Sequence, residues 1–152
     1  MEEFRKILFP IDFSKACSKL VPWVNTIAKQ FEAEVHMLFI ARSFQYLNRM
    51  YVDEAFIKNF ENESLRGAKK EIQEFSRMHF DGNLNWKAKV ILGDPAEDIL
   101  NYIKAEGIDL VIIATHSRKG LDRILFGSVA ERVVKFSSVP VLSINPYKLP
   151  AQ

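Results

Sequence analysis

Three features of the sequence have residue types and spacing that could do chemistry: Asp12, Ser128, and the basic stretch between Ala114 and Gly127. That stretch, Ala114-Thr115-His116-Ser117-Arg118-Lys119-Gly120, leaves an apolar run over 109–114. It ends at Gly127-Ser128, where an amphipathic run, Val129 to Phe136, begins. A strand, a basic glycine-containing loop and a helix start together make a phosphate cradle, because backbone N–H groups and the positive end of the helix dipole face the anion. Ser128 can offer its hydroxyl and N–H to phosphate, or cap the last helix in a box completed by Glu131, and the two uses are compatible. Arg118 can screen phosphate charge, with Lys119 and Arg123 nearer the rim; the same three also read as ordinary solvated surface. Asp12 either accepts a hydrogen bond from a ligand or caps the first helix.

Catalytic chemistry finds little support. His116 has no carboxylate at fixed spacing to orient it as a base. Lys119-Gly120 is followed by Leu121 and lacks the upstream glycine spacing of a Walker A loop. His36 falls within a strand and His79 at a helix end, so no His/Cys metal set forms. The chain is not read as an enzyme; a slow ATPase is the remaining enzymatic alternative. Cys17 falls on the apolar side of a helix and reads as a buried, inert thiol.

The elements that must position these residues follow from periodicity. Lys6 to Pro10 is a short buried strand, and Asp12-Phe13-Ser14 supplies capping oxygens for a helix carrying Leu20, Val24, Ile27, Ala28 and Phe31. Glu34 to Arg42 is a second strand, and Ser43 to Glu54 a surface connection. A long helix follows, marked by Leu65, Ala68, Ile72, Phe75 and Met78. Trp86, Ala88, Val90 and Leu92 make a third strand. Asp94-Pro95-Ala96-Glu97 opens a helix with a capping box, and Gly107 ends it. A fourth strand runs to Ala114, and a fifth spans Val139 to Ile144, which Pro140 places at an edge or leaves paired on only one side there. The aromatics Phe44, Tyr46, Tyr51, Phe56 and Phe60 are assigned to core packing or dimer burial.

Alternating strands and helices predict a single α/β domain over 1–152, an open doubly wound parallel sheet with helices on both faces. Ligands of such sheets bind beyond the carboxyl ends of the strands, where the winding reverses. The charge balance of 21 basic against 19 acidic residues argues against general nucleic-acid or membrane binding. No apolar run reaches the roughly 18 residues that span a bilayer. Met1-Glu2-Glu3 and a first apolar run of about five residues do not read as a signal peptide, so a cytoplasmic protein is expected.

Lys6-Ile7-Leu8-Phe9-Pro10-Ile11-Asp12-Phe13-Ser14, Gly127-Ser128-Val129-Ala130-Glu131-Arg132-Val133-Val134 and Ser138-Val139-Pro140-Val141-Leu142 together resemble the universal stress protein family, of the adenine nucleotide alpha-hydrolase-like superfamily. The resemblance covers about residues 3 to 146. It implies a five-stranded sheet in the order 3-2-1-4-5 and a homodimer paired through the last strand, here Val139, Val141, Leu142 and Ser143. It also implies ATP, or the related AMP or ADP, with Mg²⁺ as a companion ion, although the family includes nucleotide-free dimers. Regulatory protein partners are implied without being identified. The family's G-x2-G-x9-G-[S/T] motif falls on Ala114, Ser117, Gly127 and Ser128, so two of its three glycines are replaced by small residues. The adenosine side falls on Pro10, Ile11 and Asp12, on Ile40 at the end of the second strand, and on Ile113 and Ala114 at the end of the fourth. Thr115, His116, Arg118, Gly120 and Val129 complete the expected contacts.

Overall fold

The computed structural model describes residues 3–80, 82, 84–116 and 127–150. In chain order the elements are β1 (Lys6–Pro10), α1 (Lys15–Phe31), β2 (Glu34–Arg42), a short 3₁₀ helix (Gln45–Met50), α2 (Glu54–Phe80), β3 (Trp86–Gly93), α3 (Pro95–Glu106), β4 (Leu110–Ala114), α4 (Ser128–Phe136) and β5 (Val141–Ile144). All strand pairs are parallel, and the sheet order is β3-β2-β1-β4-β5. This is the expected topology.

The central strands β1, β2 and β4 are buried on both faces, as parallel strands covered by crossover helices must be. On one face Ile7, Phe9, Met37 and Ile112 pack with Leu20 and Val24 of α1 and Ile72 and Phe80 of α2. On the other, Leu8, Leu38, Val111 and Ile113 pack with Ile99 and Ile103 of α3 and Ala130 and Val133 of α4. Successive crossovers therefore wind to one face through α2 and to the other from α3 onward. The reversal lies between β1 and β4.

Local signals behave mostly as their chemistry dictates. Ser14, rather than Asp12, caps α1, its side chain accepting from the Cys17 N–H. Asp94 caps α3 by accepting from the Glu97 N–H at 2.9 Å, with Pro95 in the first turn. The return bond of the box comes from Asp98, which accepts from the Asp94 N–H at 2.9 Å, one residue later than expected for Glu97. Gly107 ends α3 at φ 65°, the left-handed conformation that glycine adopts without penalty.

Other expectations fail. α2 begins at Glu54 and buries Ile57, Glu61, Ala68, Ile72, Ser76 and Phe80, while Met78 faces solvent at 77% exposure. A carboxylate is therefore part of the stripe: Glu61 is buried and accepts from Gln45 Nε2 at 2.8 Å, which an apolar-periodicity rule does not count. The aromatics of this region are not core residues. Tyr46, Tyr51, Phe56 and Phe60 are exposed, and only Phe44 is half-buried, edge-on to Phe60 with ring centroids 5.3 Å apart. β5 starts at Val141, so Val139 precedes the strand and packs on the α3–α4 face. No helix among the described residues is long and apolar enough to cross a membrane.

Candidate functional site

Hydrogen-bond parity along the strands creates the site. The Ile11 N–H donates to the Leu38 C=O and the Glu34 N–H to the Arg5 C=O, so even-numbered residues of β2 turn their peptide groups toward β1. The β1–β2 register ends at Pro10–Leu38. Ile40, two residues on, thus presents its N–H and C=O to a side of the sheet that β1 has left. On the opposite flank, the Val111 N–H donates to the Pro140 C=O and the Thr115 N–H to the Ile144 C=O, so Ala114 turns its peptide groups back toward β1. The β1–β4 register covers only Ile7–Leu110 and Leu8–Val111. Pro10 has no N–H to continue it, and the strands part there.

A cleft of about 450 Å³ occupies this gap, a size ordinary for small-ligand sites. Pro10, Ile11 and Asp12 line it from β1, Ile40 from β2, and Ile113, Ala114, Thr115 and His116 from β4. Gly127, Ser128 and Val129 line it from the start of α4. These expected residues thus meet in one place. Ser117, Arg118 and Gly120 lie outside the described residues, as do Lys119 and Arg123.

Among the described residues, no side chain caps the start of α4. Gly127 is the N-cap of α4 and offers no side-chain oxygen, and Ser128 is the first helical residue, so the expected Ser128–Glu131 capping box does not form. The Gly127 C=O takes the Glu131 N–H at 3.0 Å, and the Gly127 N–H donates to the Thr115 C=O at 2.6 Å. First-turn N–H groups left without a side-chain cap are the donors that anions use. The Thr115 hydroxyl is 2.8 Å from His116 Nδ1, and both side chains are buried in the cleft wall.

Asp12 is set by its neighbours. Its Oδ1 accepts from the Ser14 N–H at 3.0 Å and from the Cys17 thiol at 3.1 Å. Phe13 adopts φ 61°, and its ring lies 4.6 Å from that of Phe39. A non-glycine residue in this conformation costs about 1–2 kcal/mol, offset here by ring packing and by the turn it closes. Burial, and then the adjacent Asp12 carboxylate, push the Cys17 thiol up to about 12, which leaves it protonated and unreactive at neutral pH.

The sequence reading overlooked several cleft residues. Cys17, Phe39, Arg42, Pro95 and Ile99 also line it. Arg42 was legible as the charge that ends the apolar run of β2, on the same sheet face as Ile40. The left-handed Phe13 has no sequence signal. Arg132 of α4 reaches Asp94 at 3.5 Å across the α3–α4 flank, an exposed pair worth little in stability.

A family model described as the universal stress protein family matches residues 3–145. The chain belongs to the universal stress protein family. Universal stress protein MJ0531 of Methanocaldococcus jannaschii is 28% identical over 151 residues, covering 95% of this chain and 84% of that protein. The solved structure of MJ0577, from the same organism, superimposes with TM-score 0.83 at 27% identity, covering 99% of this chain and 100% of the other. The universal stress protein from Archaeoglobus fulgidus, solved in complex with dAMP, shares the fold with TM-score 0.68 at 15% identity, covering 95% and 100% of the two chains.

Proposed function

We propose that this universal stress protein is an adenine-nucleotide-binding regulatory module that acts as a homodimer. The observation that carries the reading is the pairing, across one cleft, of an open strand edge at Ile40 with the uncapped start of α4 at Gly127-Ser128. One N–H and one C=O at Ile40 complement the N1 acceptor and N6 donor of adenine. The walls beside it, Ile99 and Ile113, are apolar and suit a purine face. From β2 to β4 is two strand spacings, roughly 10 Å, so a base at Ile40 puts a phosphate near α4. The dAMP complex of the A. fulgidus protein is consistent with a nucleotide in this fold.

Replacement of the first motif glycine by Ala114 fits the reading. Its methyl group packs with the α1-side core, so it does not crowd the α4 side of the cleft. ATP is the proposed ligand, with Mg²⁺ as its counter-ion, and ADP or AMP use the same adenosine contacts. Binding would regulate by favouring one of two states for which a protein partner has different affinity.

For the dimer, β5 is an edge strand, and Leu142 of β5 and Val134 and Phe136 of α4 are exposed. Such an edge is a template for pairing with a second copy.

The test is to heat-denature the purified protein, identify released small molecules by mass spectrometry, and titrate the unliganded protein with ATP, ADP and AMP by calorimetry. Co-purified or titratable adenine nucleotide supports the reading. No released nucleotide and no heat at millimolar ATP with Mg²⁺ refutes it and leaves a nucleotide-free dimer.

A further inference from the structure

The cleft contains one interaction that the nucleotide reading does not use. The Cys17 Sγ stands between two groups of the same residue, donating to Asp12 Oδ1 at 3.1 Å while the Asp12 N–H approaches it at 3.4 Å. With the Ser14 N–H also on Oδ1 at 3.0 Å, that oxygen holds two donors. Oδ2 carries no hydrogen bond among the described residues. Asp12 is exposed on the cleft wall, whereas Cys17 is 4% exposed and borders the cleft from beneath it.

We infer that Cys17 is a positioning residue for ligand binding: its thiol proton locks the Asp12 carboxylate through Oδ1, so that Oδ2 is the acceptor presented to the nucleotide. The inference rests on the nucleotide reading of the cleft and deepens it. A free aspartate at a strand end samples several rotamers, and ordering it costs affinity when a ligand arrives. Here the ordering is complete beforehand, because one oxygen is held by a backbone N–H and by a buried thiol. The thiol suits the role because burial beside a carboxylate keeps its proton in place. Asp12 thus serves as a fixed acceptor for a donor such as a ribose hydroxyl or an exocyclic amine.

The experiment is a double-mutant cycle read by ATP calorimetry on the full chain. Cys17→Ala is expected to weaken ATP binding about tenfold, the scale of one hydrogen bond to a charged group. Cys17→Ser, which keeps a donor at the site, is expected to stay within about threefold of the unaltered protein. In an Asp12→Ala background, Cys17→Ala should have no further effect, because the group it positions is gone. A Cys17→Ala effect that persists undiminished in that background would mean that Cys17 acts through general packing, and would overturn the inference. Unaltered affinity in Cys17→Ala overturns it too, and leaves the nucleotide reading standing. Absence of ATP binding by the unaltered protein removes both.

A ligand-free measurement examines the pair itself. Asp12→Asn removes the negative charge that helps hold the thiol proton, so iodoacetamide at pH 9 should alkylate Cys17 about tenfold faster in that variant. Equal rates would show that the thiol and the carboxylate are not coupled, and would overturn the inference independently of any nucleotide.

Discussion

Replacing Gly127 by valine separates the effect of space from that of conformation. Gly127 has φ −60° and ψ 149°, values any L-residue adopts, so backbone strain contributes nothing. Space does contribute. A Cβ at this position would lie 3.3 Å from the Thr115 carbonyl oxygen, closer than comfortable contact. That oxygen is not free to retreat: it accepts the Gly127 N–H at 2.6 Å, and the N–H of its own residue is bound to the Ile144 C=O at 2.9 Å. Alanine asks for a shift of a few tenths of an ångström and should cost at most about 1 kcal/mol. Valine adds two methyl groups at the mouth of α4 and should cost about 1–3 kcal/mol. For a chain of 152 residues, each kcal/mol lowers Tm by roughly 2–4 °C. The same methyl groups occupy space in front of the first-turn N–H groups, so ATP affinity should fall at least about tenfold, or ~1.4 kcal/mol. Scanning calorimetry and ATP titration of the unaltered, Gly127→Ala and Gly127→Val proteins read both effects. A valine protein that melts at the original temperature and binds ATP as before would refute both the close approach and the placement of phosphate at α4.

Asp94→Ala removes the α3 cap and its bond to the Glu97 N–H; stability should fall by about 1 kcal/mol, and a thermal melt shifted by less than 1 °C would count against the cap. Cys17 and Tyr102 both have folded-state values pushed up to about 12, by burial first, from 9.0 and 10.0. The folded protein therefore holds these protons to higher pH than the unfolded chain. The stability they confer is complete below their ordinary values and is lost as pH rises toward 12. Tyr102→Phe should lower Tm at pH 7, because His36 Nδ1 loses its 2.8 Å partner, yet flatten the decline above pH 10; an equally steep decline would exclude Tyr102 as a source. Val141→Glu should yield a monomer by light scattering if β5 forms the dimer interface, and a persistent dimer would place the interface elsewhere. Arg42→Glu should reduce ATP affinity about threefold to tenfold at low salt and less at high salt, whereas a salt-independent change would show that Arg42 does not act through charge.

Strand identity was legible because buried parallel strands are short apolar runs, and Leu110-Val111-Ile112-Ile113 is too short for a helix between two helical periods. The strand order, and with it the position of the cleft between β1 and β4, came from the family resemblance rather than from the apolar runs. What the residues did not reveal was the division of labour among neighbours. Asp12, Phe13 and Ser14 all stand before a helix, and any rule of composition offers two oxygens for one cap. Only the left-handed turn at Phe13 decides that Ser14 caps and Asp12 faces the cleft. At Ser128 the motif for a capping box was present, but α4 begins one residue too early for Ser128 to precede it. In α2 the buried stripe includes Glu61 and Ser76, polar residues satisfied by Gln45 and by the Ile72 C=O, so apolar spacing pointed to Met78 instead. Core packing of the aromatics failed because hydrophobicity states a preference for burial and carries no information about how much interior is available; their exposure in a single chain leaves burial in a dimer open.

The hydrogen bond from the Gly127 N–H to the Thr115 C=O also works as a clasp. It closes the chain upon itself at the rim of the sheet, and both of its ends are anchored, one by β5 and the other by the first turn of α4. Polypeptide that departs at Thr115 and rejoins at Gly127 thus does so through a fixed doorway. Because Thr115 and Gly127 hold one another, losing either anchor would loosen the end of β4 and the start of α4 together.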